Sequence, residues 1–361
     1  MPIIVDAHAD LAYNMLRYGR DYTRSAAETR QIEKGSATVA DNENATIGWA
    51  DYQRGQVAVV FSTLYAMPAR WEKSENKNQV YKTFNEAYQI CREQLMTYQR
   101  MTDATPDKFR LIASRRDLES ILEHWNSPNP NGHPVGMVPL MEGAEGIRDL
   151  NELEEWHELG LRLIGPAWVG TRYSGGWREP GSLTDDGRKL LNAMTDYNFI
   201  LDLSHMDEKA SLEALDIYRG PIVASHGNCL ALLPNVNSNR HFSDRVLEGV
   251  IERDGVIGVT LYNTYLKAGW VTGKNLREEV PLDVVASHID HICQIAGDSL
   301  HAGIGSDLDG GFGLESIPLE MDTIADLQKL SPLLQTRGYS ETDVANIMGG
   351  NWLAQLKRDL P

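Results

Sequence analysis

The chain has 361 residues, 42% hydrophobic and 24% charged, the balance of a globular enzyme able to bury a large core. Its 34 Lys and Arg against 51 Asp and Glu give a formal charge of −17, which argues against nucleic-acid and anionic-membrane partners because phosphate binding relies on clustered cations. The cysteines Cys91, Cys229 and Cys293 are far apart with no C-x-x-C pair, which argues for a reducing compartment and against a disulfide framework or zinc knuckle; with no leader-like pattern in MPIIVDAHAD and no apolar run of spanning length, the expected location is cytoplasmic.

In chain order, short apolar runs rich in β-formers recur at Ile3–Val5, Val57–Leu64, Gly136–Leu140, Leu161–Ile164, Phe199–Leu203, Ile222–Ala224, Val256–Leu261 and Ala302–Gly305. Near-continuous apolar runs are the pattern of strands buried on both faces. Between them lie amphipathic stretches such as Asn78–Met101, Asp185–Tyr197, Glu208–Tyr218, Ser243–Arg253 and Leu282–Ala296. This alternation predicts one (β/α)8 barrel of the TIM type over residues 1–361, with an open doubly wound sheet as the alternative. Residues 17–55 and 169–184 are polar or glycine-rich and read as long loops over the barrel mouth.

Five of the eight strands end in a group able to hold a metal or move a proton. The first runs into His8 and Asp10, the third into Glu142, the fifth into His205, the sixth into His226 and the eighth into Asp307. Barrel enzymes gather catalytic groups at the C-terminal ends of their strands, so these residues should converge. Side-chain alternation puts His8 and Asp10 on one face. Imidazole and carboxylate without thiolate suit zinc, and also manganese, iron or cobalt. Three histidines with two carboxylates exceed a mononuclear catalytic site, so the set predicts two divalent ions, with Glu142 as the bridge. His8 and Asp10 then complete one ion, and His205 and His226 the other. A water between the ions becomes a hydroxide nucleophile, and Asp307 orients it and carries its proton, with Asp309 as the competitor for that role. His288, His291, His124, His133, His157 and His301 fall on helices, loops or strand starts and read as structural, and Cys229 as a small buried residue.

The segments D-A-H-A-D (6–10), M-E-G (141–143), L-D-L-S-H (201–205), A-S-H (224–226), N-R-H-F-S-D (239–244), G-I-G-S-D-L-D-G (303–310) and G-G-N-W-L (349–353) together resemble the membrane (renal) dipeptidase family of the amidohydrolase superfamily, from end to end of the chain. The resemblance implies a dinuclear zinc barrel cleaving dipeptides, including those with a C-terminal D-residue. It implies His8, Asp10, Glu142, His205 and His226 as ligands, Asp307 as the proton-transfer group, and Arg240 gripping the substrate carboxylate bidentately. Tyr262 is a further substrate-binding candidate. One departure stands out: where many family members carry a histidine after the fourth strand, this chain has Trp168, which has no charge and could instead wall an apolar or aromatic subsite. His241 is the residue that could compensate. The alternative functions are hydrolysis of another small amide, such as an N-acyl amino acid, and a binding barrel without catalysis. The expected partner is a small-molecule substrate, and a homodimer is the default assembly.

Overall fold

In the computed structural model, which describes residues 1–361, the apolar runs become parallel strands buried along nearly their whole length. They are β1 (Ile4–Ala9), β2 (Val57–Tyr65), β3 (Val135–Glu142), β4 (Leu163–Gly165), β5 (Ile200–Asp202), β6 (Ile222–Gly227), β7 (Ile257–Val259) and β8 (Ala302–Ile304). Each pairs with its neighbours in sequence and β8 returns to β1, closing the (β/α)8 ring and removing the open-sheet alternative. A short strand at Phe109–Leu111 adds to the N-terminal part of β3 outside the ring.

The strand bounds differ from the apolar runs in an informative way. β1 continues through His8, β3 through Glu142 and β6 through His226, so these polar side chains lie within strands rather than in the loops that follow. A reading by hydrophobicity stops short where the functional residues begin. Helices cover the outside. The longest, Phe84–Ala104, starts at a capping box in which Thr83 and Glu86 satisfy each other's backbone N–H, later than the expected start at Asn78. The polar segment 17–55 holds helices Ala26–Glu33, Ala37–Asn42 and Trp49–Gly55, as anticipated for a mouth loop. No helix is long and apolar enough to cross a membrane, and all three cysteines are free and buried.

The G-G-N-W-L segment closes the bottom of the ring. Asn351 donates to the carbonyls of Ser299 and Ala302, and the Trp352 indole donates to Ile304 and packs edge-on to Phe61. β8 is thereby fixed from below, with the site at its upper end.

Glycine sets the spacing of the last three strands. A Cβ on Gly258 of β7, or on Gly305 just past β8, would overlap the Ser225 carbonyl oxygen in β6. Gly305→Ala is therefore expected to push apart the strands carrying His226 and Asp307, lowering Tm and metal affinity together. Thermal melts with metal titration check this; normal values for both would mean the strands yield without cost.

Candidate metal centre and substrate cavity

Three imidazoles meet at the mouth of the ring. The ring centroids of His8 and His226 are 3.7 Å apart, and those of His205 and His226 are 4.7 Å apart. Glu142 Oε1 sits among them, 2.8 Å from His205 Nε2, 3.4 Å from His226 Nε2 and 3.6 Å from His8 Nε2. His8 Nε2 also lies 3.9 Å from Asp10 and 3.8 Å from Asp307. Two overlapping ligand groups result, His8 with Glu142 and His226, and His8 with Asp10 and Asp307. His8 is thus shared, and Asp307 stands with Asp10 rather than apart from the ligands.

The donor set fits a cation. Both ring nitrogens of His8, Nδ1 of His205 and Oδ1 of Asp10 are buried without a hydrogen-bond partner. Buried polar atoms are rarely left this way unless something else satisfies them. Burial drives the His8 imidazole down to about 3, helped by the charge of Arg240, and holds His205 and His226 well below the ordinary histidine range. These rings are neutral at physiological pH and offer lone pairs, as a metal requires.

Buried aspartates and serines aim the candidate ligands. Ser225 Oγ lies 2.9 Å from His226 Nδ1 and donates to Asp202, which also accepts from the Ser225 and Ser204 amides. With its own proton committed to Asp202, Ser225 accepts the Nδ1–H, which leaves His226 Nε2 as the bare nitrogen facing the cluster. Asp6 plays the matching part under β8, accepting from the Ser306 amide and hydroxyl at 2.6 Å and so placing Asp307. His205 and Asp307 take the left-handed backbone conformation at φ 65° and 59°, a conformation costly for non-glycine residues and concentrated at functional sites. Ser225→Ala is expected to weaken metal binding by about 10- to 100-fold with the fold intact, as loss of an orienting partner does. Competition with a chromophoric chelator measures it; unchanged affinity would mean that packing alone orients His226.

The other expected residues fall into two groups. Trp168 lines the cavity above the metal cluster, its ring 6.1 Å from His205. Arg240 is 1% exposed, its guanidinium over the Tyr265 ring and one nitrogen 3.4 Å from the His226 carbonyl, while Nε and Nη2 have no partner. A buried guanidinium with free donors is able to take an anion, but Arg240 is not itself among the residues lining the cavity; Tyr265, whose ring it overlies, is. Tyr262, in contrast, stacks flat on Phe312 and bonds Thr272, and it is Tyr265 that faces the cavity; this corrects the sequence expectation. Asp309 is no competitor for proton transfer: Thr46, Tyr22 and Arg20 bind its carboxylate, which anchors the 17–55 segment. His241 lies buried, edge-on to Tyr265, away from the cavity lining. His288 accepts from the Cys229 amide, His291 pairs with Asp244, and His124 and His301 bond backbone carbonyls, all structural roles.

The cavity holds about 500 Å³, in the range of small-molecule sites. Its walls include Tyr13, Tyr65, Trp71 and Trp177, none of which the sequence reading singled out. They come from the first helix, the end of β2 and two mouth loops, and only the assembled ring brings them together.

A family model described as membrane dipeptidase (peptidase family M19) matches residues 1–358. A Klebsiella pneumoniae protein, described as an uncharacterized protein in the pqqA 5′ region, is 30% identical over 278 residues, covering 74% of this chain and 95% of its own. Dipeptidase tcpJ of Claviceps purpurea is 27% identical over 327 residues, 86% of this chain and 69% of that one. Among solved structures, a metallopeptidase described as dipeptidase AC superposes with TM-score 0.79 at 26% identity, over 99% of both chains. A Rhodobacter sphaeroides metallopeptidase, liganded with a phosphinate mimic of the dipeptide L-Ala-D-Ala, superposes with TM-score 0.78 at 25% identity, over 99% of this chain and 100% of that one.

Proposed function

Because this chain belongs to the membrane dipeptidase family and is a metal-dependent hydrolase, we propose that it is a dinuclear zinc dipeptidase, working as one catalytic unit over the whole chain and accepting a D-residue at the C-terminal position. The observation that carries this reading is the gathering of three neutral imidazoles and Glu142 around one small volume, with buried donor atoms left unpaired. His8, Asp10, Glu142, His205 and His226 would hold the metals. Bound zinc supplies a Lewis acid for the scissile carbonyl and makes water acidic enough to serve as nucleophile near neutral pH.

The chain's own residues do the rest. Arg240 presents two unpaired guanidinium nitrogens, the geometry that grips a carboxylate. That fixes the substrate's C-terminal end and lays the amide across the cluster. Asp307, 3.8 Å from His8, takes a proton from the attacking water and returns it to the amide nitrogen as that bond breaks. Similarity to a structure that holds a phosphinate dipeptide mimic supports the substrate class and the D-residue.

The test is turnover of free dipeptides, including Ala-D-Ala, beside their N-acetylated forms, with metal analysis on the same protein. Hydrolysis of the free dipeptides with about two ions per chain is expected. Activity confined to the N-acetylated set would reject the peptidase reading in favour of an N-acyl amino acid hydrolase. Fewer than about one ion per chain, with no turnover, would point to a binding barrel.

A further inference from the structure

One wall of the cavity carries more aromatic surface than metal binding calls for. Tyr65 closes β2, and its ring meets Trp168 edge-on with centroids 4.9 Å apart. Tyr13 lies 5.2 Å from Tyr65 on one side, and Trp177 stands edge-on to Trp168 at 6.3 Å on the other. All four line the cavity. Since Trp168 also reaches to 6.1 Å from the His205 ring, the wall begins at the metal cluster and runs outward.

The wall is held in shape. The Arg178 guanidinium lies 4.1 Å from the Trp177 ring and 4.9 Å from the Trp71 ring, between two loops. Glu179 takes two bonds from Arg70 and one from the Trp71 indole. These contacts clamp the loop after β2 to the loop after β4, so little ordering remains to be done on binding.

Position on the ring says which part of a substrate meets this wall. In a closed ring of eight, β2 lies opposite β6. Arg240 comes from the connection between β6 and β7, and Tyr265, whose ring it overlies, follows β7. A substrate with its carboxylate at Arg240 and its amide over the metal cluster points its N-terminal residue at Tyr65, Trp168 and Trp177. The cavity of about 500 Å³ has room there for a large side chain.

We propose that this wall selects substrates whose N-terminal residue carries a large aromatic side chain, with Trp168 as the specificity determinant. The inference rests on the dipeptidase reading. A ring entering the site meets edges and faces already arranged for the offset and T-shaped contacts that aromatic groups prefer. Trp168 adds apolar surface and no charge at the point nearest the reaction, so a small side chain buries little there and an acidic one meets cations only farther out, at Arg178 and Lys73.

The experiment is kcat/KM for Phe-Ala, Tyr-Ala, Ala-Ala and Glu-Ala on the metal-loaded protein, with Trp168→Ala and Trp168→Phe alongside. The aromatic pair is expected to lead Ala-Ala by at least about tenfold, chiefly through KM, the scale of burying one such side chain. In Trp168→Ala the ratio of Phe-Ala to Ala-Ala should collapse while metal content holds; Trp168→Phe should keep most of it. Equal kcat/KM for Phe-Ala and Ala-Ala, or an unaltered ratio in Trp168→Ala, overturns the inference and leaves the dipeptidase reading standing. A lead for Glu-Ala also overturns it and moves selection to the rim cations Arg178 and Lys73. No cleavage of any dipeptide by protein carrying its metals sinks both.

Discussion

Asp307→Asn is expected to retain its metals and lose at least about a hundredfold in kcat, with KM little changed, the signature of a lost proton carrier. Asparagine keeps the shape of the side chain and tolerates the left-handed conformation that Asp307 adopts, so the backbone at the end of β8 need not move. The Asp6–Ser306 bonds that place the residue are also untouched. What disappears is the titratable oxygen. Burial, then the neighbouring Asp10 charge, push the Asp307 carboxyl well above the usual carboxylate range, against the opposing pull of Arg240. Those causes act in the metal-free chain; with cations bound beside it the carboxyl is ionised, as a group that takes a proton from water must be, and it can then pass that proton to the departing amine. Steady-state kinetics with metal analysis decide the point. Near-normal turnover would remove Asp307 from proton transfer, and Asp309 could not inherit the role because its oxygens are already bound by Thr46, Tyr22 and Arg20.

Asp309, the weaker alternative to Asp307, shows where sequence reasoning gives out. Two residues apart on a strand, Asp307 and Asp309 should face the same way. Both have positive φ, at 59° and 61°, and lie beyond the last strand residue, Ile304, so the alternation no longer applies. Tyr262 misled for a related reason: the chain turns into a short helix, Asn263–Leu266, straight after it, and Tyr265 on that helix takes the cavity position. The ring order and the convergence of His8, Asp10, Glu142, His205 and His226 were legible because each directly extends or follows an apolar run, and a closed parallel barrel brings such ends together. The supporting layer was present in the motifs without announcing itself. Asp6, Asp202, Ser225 and Ser306 all stand within three residues of a proposed ligand or of Asp307, but only a hydrogen-bond geometry distinguishes them from ordinary strand polar residues. Of the aromatic wall only Trp168 had a local signal, as the departure after the fourth strand; Tyr13, Tyr65 and Trp177 had none, being spread over separate elements that only the assembled ring brings together.

Chelation is expected to abolish turnover, with zinc restoring it, and to lower Tm by more at pH 9 than at pH 7. The sign follows from the direction of each shift. Burial raises Asp10 to about 7, with the Asp309 charge adding to it, and holds Glu142 and Asp307 well above the carboxylate range. Relative to an unfolded carboxyl near 4, the folded metal-free protein binds these protons more tightly. Their contribution to stability is therefore full in acid and is lost as pH rises through the folded values. The histidines act in the opposite direction, since burial lowers His8 to about 3 and His205 and His226 well below 6.5. Their cost appears only as pH falls below the unfolded value of about 6.5. Above pH 7 the histidine contribution is flat, while the passage through the folded value of Asp10, with Glu142 and Asp307 also held high, puts uncompensated negative charge into the buried site. Bound metal replaces those protons as the neutralising charge and binds more tightly as proton competition falls. Melting curves of chelated and zinc-loaded protein across this interval provide the measurement. A Tm difference that stays constant, or shrinks, from pH 7 to 9 would mean that the carboxylates reach solvent once the metal leaves, and that protons do not stand in for the ions in the closed ring.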